Sequence, residues 1–252
     1  MPERIKYFCA GALFVSLAIP ASAPAQTLPS FATVATFQVK SGMRLEFEAL
    51  QQKANAAREE AGITARFAYR VVRGGSANEY LFFTPLDSLA DYDQPLPVRR
   101  GMGEAAAAEW FAQLNGTVED VQLDTLRIRA DLSIPRTGER APRLARVRTV
   151  DVRPGRGQDY QQWITNNWVP AMKDAGMSGV IHFQNAFGVG QRKWTRMTLY
   201  DSWADLDGHP VQRHLEPGAF SAVLGNNGEM TLGPEVRILE FLPNVSILAN
   251  TP

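Results

Sequence analysis

Few residues in this chain have the types and spacing to do chemistry, and most of them lie in its second half. His182 stands in VIHFQNAF, Trp194 and Arg196 in KWTRMTLY, and Asn167-Trp168 in QQWITNNWVP. An imidazole titrates near neutrality and can move a proton or orient a ligand. A guanidinium can hold a carboxylate or another anion in a two-pronged hydrogen bond. Asparagine and tryptophan add an amide and a flat apolar face. Each residue also has a plainer reading: a hydrogen-bonded structural histidine, an arginine paired with an acid, and tryptophans (Trp163, Trp168, Trp194, Trp203) that fill a core. His209 and His214 are five apart rather than four, so they do not form the two-histidine helical metal pair, and no HExxH occurs.

Other chemistries are excluded by what is missing. The only cysteine, Cys9, lies in a segment that reads as a secretory leader. Arg4 and Lys6 precede an apolar run from Phe8 to Ile19, and Ala23-Pro24-Ala25 offers small residues before a cut at Gln26. A run of about twelve apolar residues is too short to span a bilayer. Residues 1–25 are therefore expected to direct export to the periplasm or outside and to be removed, leaving no stable membrane anchor and no thiol for disulfides, zinc or nucleophilic catalysis. The chain has 26 basic and 26 acidic residues. Such a balance creates no field to attract nucleic acid. There is no GxSxG, no phosphate-binding glycine loop and no dinucleotide fingerprint.

The elements that must position these residues come from a duplication. Positions 84–93 read TPLDSLADYD and 198–207 read TLYDSWADLD, identical at six of ten places. Thr36 to Gly42 matches Thr149 to Gly155, Glu60 to Ile63 matches Asp174 to Met177, and Leu126 to Leu132 matches Val236 to Leu242. A period of about 110 residues is the size of a domain, not of a solenoid repeat. Each copy parses as βαββαβ, a ferredoxin-like module. The modules are expected at 26–132 and 146–252, with a Pro- and Arg-rich linker at 133–145. The repeated aspartates lack the glycine and glutamate of a calcium loop and read as helix caps with Asp87 or Ser88 in that place. Copy two carries one extra residue in the helix GRGQDYQQWITNNWVPAMKDAG, beside Pro170, which predicts a kink or π-bulge there.

The segments TFQVKSGMRLEFEAL and TVDVRPGRGQDYQQW and the paired D-S-x-A-D-x-D motifs resemble the dimeric α/β-barrel superfamily in a tandem, single-chain form, closest to its NIPSNAP-like and antibiotic-biosynthesis-monooxygenase-like branches. The resemblance implies an α+β fold with two ferredoxin-like sheets face to face around a barrel-like space. Alternation along the strands assigns Phe67, Tyr69, Val71, Leu81, Phe83, Ile181, Phe183, Met197 and Leu199 to the helices. It assigns Tyr80, Phe82, His182, Trp194 and Arg196 to the space between the modules. Asn167 is expected at the edge of the buried helical stripe. The site expected from this is a set of ligand-binding residues, His182, Trp194, Arg196, Asn167, Trp168, Tyr80 and Phe82, around a small, partly apolar or aromatic molecule held between the modules. No resident cofactor and no metal are expected. The alternatives are a cofactor-free monooxygenase-like enzyme, a haem protein with His182 as first candidate ligand (both raised by the resemblance), and an interaction module. Whether the chain pairs again into a homo-oligomer stays open.

Overall fold

The computed structural model describes residues 28–137, 142–187, 192–207 and 210–248. The expected leader, part of the expected linker, residues 188–191 and His209 lie outside those residues. The first copy contains β1 (Phe31–Val39), α1 (Arg44–Glu60), β2 (Phe67–Arg73), β3 (Glu79–Leu86), α2 (Pro97–Met102), α3 (Glu104–Thr117) and β4 (Val118–Ile128). The second contains β5 (Leu144–Val152), α4 (Gly157–Trp163), a π-helical turn (Ile164–Trp168), α5 (Val169–Asp174), β6 (Val180–Phe187) and β7 (Lys193–Tyr200). It ends with the short helices α6 (Trp203–Leu206), α7 (Pro210–His214), α8 (Pro217–Leu224) and α9 (Asn227–Met230), and then β8 (Thr231–Phe241).

The eight strands form one closed barrel in the order β1-β3-β2-β8-β5-β7-β6-β4. Each copy supplies four neighbouring strands, and the copies are stitched by antiparallel pairing of β2 with β8 and β4 with β6. Closure removes the free edges that two separate sheets would expose. The repeated decapeptides serve the same local purpose in both copies. Ser88 Oγ accepts from Ala90 N and Ser202 Oγ from Asp205 N, so each serine caps the turn that follows its third strand. The first-copy helices pack closely: a Cβ at Gly101 would fall 1.8 Å from the Ala57 carbonyl oxygen, so only glycine permits this approach of α2 to α1.

The two faces of the strands are used opposite to the expectation from alternation. Tyr69, Val71, Leu81, Phe83, Phe183 and Met197 point into the barrel, where they pack with Val34, Leu126, Ala145, Val147, Leu239 and Phe241. The reason is geometric. An eight-stranded barrel has an interior just wide enough for side chains to fill, and its wall shields that interior on every side. The inside is therefore the drier of the two faces and takes the more regularly apolar set. An Arg237–Glu79 ion pair joins β8 to β3. The helix-facing side of each half-sheet takes the mixed set, so Tyr80, Phe82, His182, Trp194 and Arg196 lie under helices rather than between the modules.

Candidate functional site

The seven expected site residues fall into three places. Tyr80 and Phe82 are fully buried beneath the first-copy helices, among Phe37, Phe47, Val98 and Trp110. The Tyr80 hydroxyl donates to Glu48 Oε1 at 2.5 Å and accepts from Arg44 Nε at 3.2 Å. Asn167 is exposed on the π-turn, away from the stripe it was expected to border. His182, Trp194, Arg196 and Trp168 do come together, in the layer between the outer face of the second half-sheet and its helices.

This layer is built on one row of the sheet. Arg148 on β5 pairs across to Arg196 on β7, which pairs across to His182 on β6. All three side chains project toward the helices, as do Trp194 and Val150, which are buried there. The extra residue of copy two forms the predicted π-bulge, with Val169 N donating to the Ile164 carbonyl. Residues five apart sit about 140° apart around an α-helix. Bonding from i to i+5 brings them over one another instead. Trp163 and Trp168 accordingly stack at 5.7 Å, Tyr160 stacks on Trp163 at 5.6 Å, and the Arg196 guanidinium lies 4.5 Å from the centre of the Trp168 ring. Trp163 Nε1 donates to the Val223 carbonyl at 2.9 Å and fastens the stack to α8. Trp203, by contrast, is exposed, and His214 is exposed at the end of α7.

The electrostatics of the row are one-sided. Among the described residues no carboxylate pairs with Arg148 or Arg196. Burial, then the neighbouring Arg148 and Arg146, lowers the Arg196 pKa to about 9, and it remains a cation at neutral pH. Burial, then the charge of Arg196, holds the His182 imidazole down at about 3, so it is neutral. Its Nδ1 is buried without a hydrogen-bond partner. The backbone of the same residue is pinned: His182 N donates to Ser133 Oγ at 3.0 Å, and Arg129 N donates to the His182 carbonyl at 2.8 Å. Burial raises the Tyr160 pKa against the charges of Arg148 and Arg196. Arg196 is half-buried in this layer, with its guanidinium over the Trp168 ring. Farther along the same face of β7, Thr198 and Tyr200 line a surface cleft of about 290 Å³ with Arg136, Met177, Asp201 and Arg213.

Alternation along the strands singles out His182, Trp194 and Arg196, which the fold places together, but not Arg148 and Tyr160 beside them. The signal that finds them is the duplication. The first-copy counterparts of Arg148, His182 and Arg196 are Ala35, Ala68 and Phe82, and that of Tyr160 is Phe47. The same fold positions are thus packed with apolar groups in one copy and carry two guanidiniums, an imidazole and a phenol in the other. Among the described residues no group of three or more His, Cys, Asp or Glu could hold a metal ion, and no helix is long and apolar enough to cross a membrane.

No protein-family model and no curated protein matches this chain. Solved structures do. A Lactobacillus acidophilus protein described as a monooxygenase superposes with a TM-score of 0.59 at 10% identity, covering 88% of this chain and 97% of that one. An anthrone oxidase-like protein gives 0.57 at 12% identity, with 88% and 97% covered. A variant chlorite dismutase of Candidatus Nitrospira defluvii, complexed with cyanide, gives 0.51 at 10% identity, with 85% and 91% covered. At these identities the likeness is one of fold.

Proposed function

Taking the tandem dimeric α/β-barrel fold as premise, we propose that this is an exported protein that binds a small aromatic molecule bearing an anionic or phenolic group. The site is the sheet–helix layer of the second copy, not the barrel interior, which side chains fill. The observation that carries the proposal is the acid-free row Arg148–Arg196–His182, roofed by the Tyr160–Trp163–Trp168 stack. Two guanidiniums close together in a low-dielectric layer repel each other and lack counter-charge. A ligand anion would supply that charge, and the aromatic side chains around the row would give its ring apolar neighbours. The leader-like arrangement of residues 1–25 supports export.

A second reading adds chemistry at the same place. Adjacent cations favour the phenolate over the phenol, and an electron-rich phenolate is the form of an aromatic substrate that reacts with oxygen without a cofactor. The fold likeness to proteins described as a monooxygenase and as anthrone oxidase-like favours this reading. Haem fits the layer poorly. The sheet face that carries His182 is already covered by the mutually packed rings of Tyr160, Trp163, Trp168 and Trp194.

Titration with matched pairs of hydroxy- or carboxy-substituted aromatics and their neutral methyl ethers or esters, followed by tryptophan fluorescence, tests the binding proposal. The ionisable member of each pair is expected to quench and bind at least tenfold more tightly, the loss of one charge-assisted hydrogen bond being worth about 1.5–3 kcal/mol. Equal binding of both members, or of neither, removes the proposal. Added haemin is expected to give no shifted Soret band, and a stoichiometric band lost in His182→Ala would reinstate haem.

A further inference from the structure

The first copy holds a second polar cluster, on the opposite flank of the barrel and independent of the site above. Arg58, in the last turn of α1, and Arg66, just before β2, are 7% and 5% exposed and lie against the segment 243–248 that follows β8. Among the described residues neither has a carboxylate partner. Both instead point at one neutral oxygen: Gln51 Oε1 accepts from Arg58 Nη2 at 3.2 Å and from Arg66 Nη2 at 3.1 Å. Arg58 Nη1 also donates to Asn55 Oδ1 at 3.0 Å and to the Gln51 carbonyl at 3.3 Å. The guanidinium of Arg66 lies 3.8 Å over the Phe82 ring, and that of Arg58 lies 5.4 Å from the ring centre of Trp110. Two donors in this cluster, Arg66 Nη1 and Gln51 Nε2, are buried and unpartnered. Asn55 Nδ2 donates to the Ser246 carbonyl at 3.4 Å, and Arg66 and Ile247 exchange backbone hydrogen bonds at 2.8 Å, so the Pro243–Leu248 segment straps the cluster shut.

The duplication shows that the fold does not need these groups. The second-copy counterparts of Gln51, Arg58 and Arg66 are Ile164, Met172 and Val180, all buried in the apolar core there. Polarity has been exchanged between the copies: where one is charged, the other is greasy. Buried ionic groups are commonly no more stabilising than apolar residues of similar volume. Two cations gathered on a single amide oxygen, with two donors left over, call for an acceptor that carries negative charge. The geometry points to a buried binding site for a small monovalent anion, of halide size, held by Arg58, Arg66 and Gln51 under the C-terminal strap. The deep burial of both arginines favours a small ion over an organic acid, and the two unpartnered donors, Arg66 Nη1 and Gln51 Nε2, suit an ion that only accepts hydrogen bonds.

The experiment is a thermal melt of the full-length mature protein at constant ionic strength, replacing sodium gluconate stepwise by sodium chloride or bromide. The expected result is a saturable rise in Tm of roughly 3–6 °C, with bromide acting like chloride. Arg58→Met and Arg66→Val, which install the residues of the second copy, are expected to abolish the dependence. They should melt in gluconate no lower than the wild type. Diffraction from crystals grown in bromide is expected to show an anomalous peak within hydrogen-bonding reach of Arg66 and Gln51. A wild-type Tm indifferent to halide, with no such peak, overturns the inference. A peak seen only at molar bromide without a Tm response marks an adventitious ion only and overturns it equally. Should the variants fail to fold, the wild-type melt and the bromide map still decide.

Discussion

Arg196→Phe combined with His182→Ala is expected to abolish aromatic-anion binding while leaving the protein at least as stable as the wild type. These substitutions write the first copy's own residues, Phe82 and Ala68, into the second. The first copy demonstrates that such a layer packs: Phe82 sits edge-on to Phe37 at 5.5 Å, and Ala68 is fully buried beside it. Arg196 supplies charge in an enclosed layer, and a charge-assisted hydrogen bond there is worth about 1.5–3 kcal/mol. Its loss alone weakens binding roughly 10- to 100-fold, and Arg148→Ala is expected to add a similar factor. Removing an uncompensated buried cation works in the other direction on stability. Gains of up to about 1–4 kcal/mol have precedent for buried ionic groups, equivalent to a few degrees in Tm for a chain of this size. Calorimetric titration and thermal melts on the same samples separate the two effects. A variant that binds undiminished refutes the site. One that loses binding together with its melting transition says only that the layer has collapsed, and Arg148→Ala then carries the test.

The second large effect is on pH dependence. His182 has an ordinary pKa near 6.5 when the chain is unfolded and about 3 in the fold. Burial is the main cause, followed by the positive charge of Arg196. Arg129 adds to the shift, while the Leu132 backbone and Asp131 oppose it. Between those two values the unfolded chain binds a proton that the native protein refuses. Stability contributed by this residue is therefore complete above pH 6.5 and falls as the pH drops toward 3. Its slope approaches about 1.4 kcal/mol per pH unit within that window. Carboxylates elsewhere also titrate there, so the measurement is a difference: denaturant unfolding of wild type and His182→Ala at pH 7, 6, 5 and 4. The stability of the variant relative to wild type is expected to rise steadily as the pH falls. A constant difference would mean that the imidazole takes up its proton in the native protein as readily as in the unfolded chain.

Much of the architecture was legible in the sequence because duplication writes it twice. Matching segments reveal the two copies, their strand order and, through a single inserted residue, the π-bulge that stacks Trp163 on Trp168. Alternation also correctly separated the two faces of each strand. What it could not say was which face meets which partner, since inside and outside of a helix-covered barrel are both buried. Tyr69 and Phe83 look equally suited to either side until the strands are seen to close at β2–β8 and β4–β6. That ambiguity inverted the expected placement of Tyr80, Phe82, His182, Trp194 and Arg196 while leaving three of them, with Trp168, in one group. Arg148 escaped because an arginine in a strand beside Arg146 reads as solvated charge. Asn167 is expected at the edge of the stripe from helical angles that the inserted residue displaces. The Arg58–Gln51–Arg66 cluster gave no signal within its own copy and emerges only beside Met172, Ile164 and Val180.

The seams of the barrel also constrain the order in which the molecule can be made. Strand β8 is the last of the barrel's eight strands to leave the ribosome, yet it lies between β2 and β5, and Arg70 and Glu240, joined by a 2.6 Å ion pair, are 170 residues apart. Closing such a distant contact brings a chain-entropy penalty that local helices never face. Until β8 is made, β2 and β5 present bare hydrogen-bonding edges, the kind of surface that recruits other chains. The cylinder can therefore close only once β8 has gone in, and an ion beneath the segment that follows that strand can be enclosed only then.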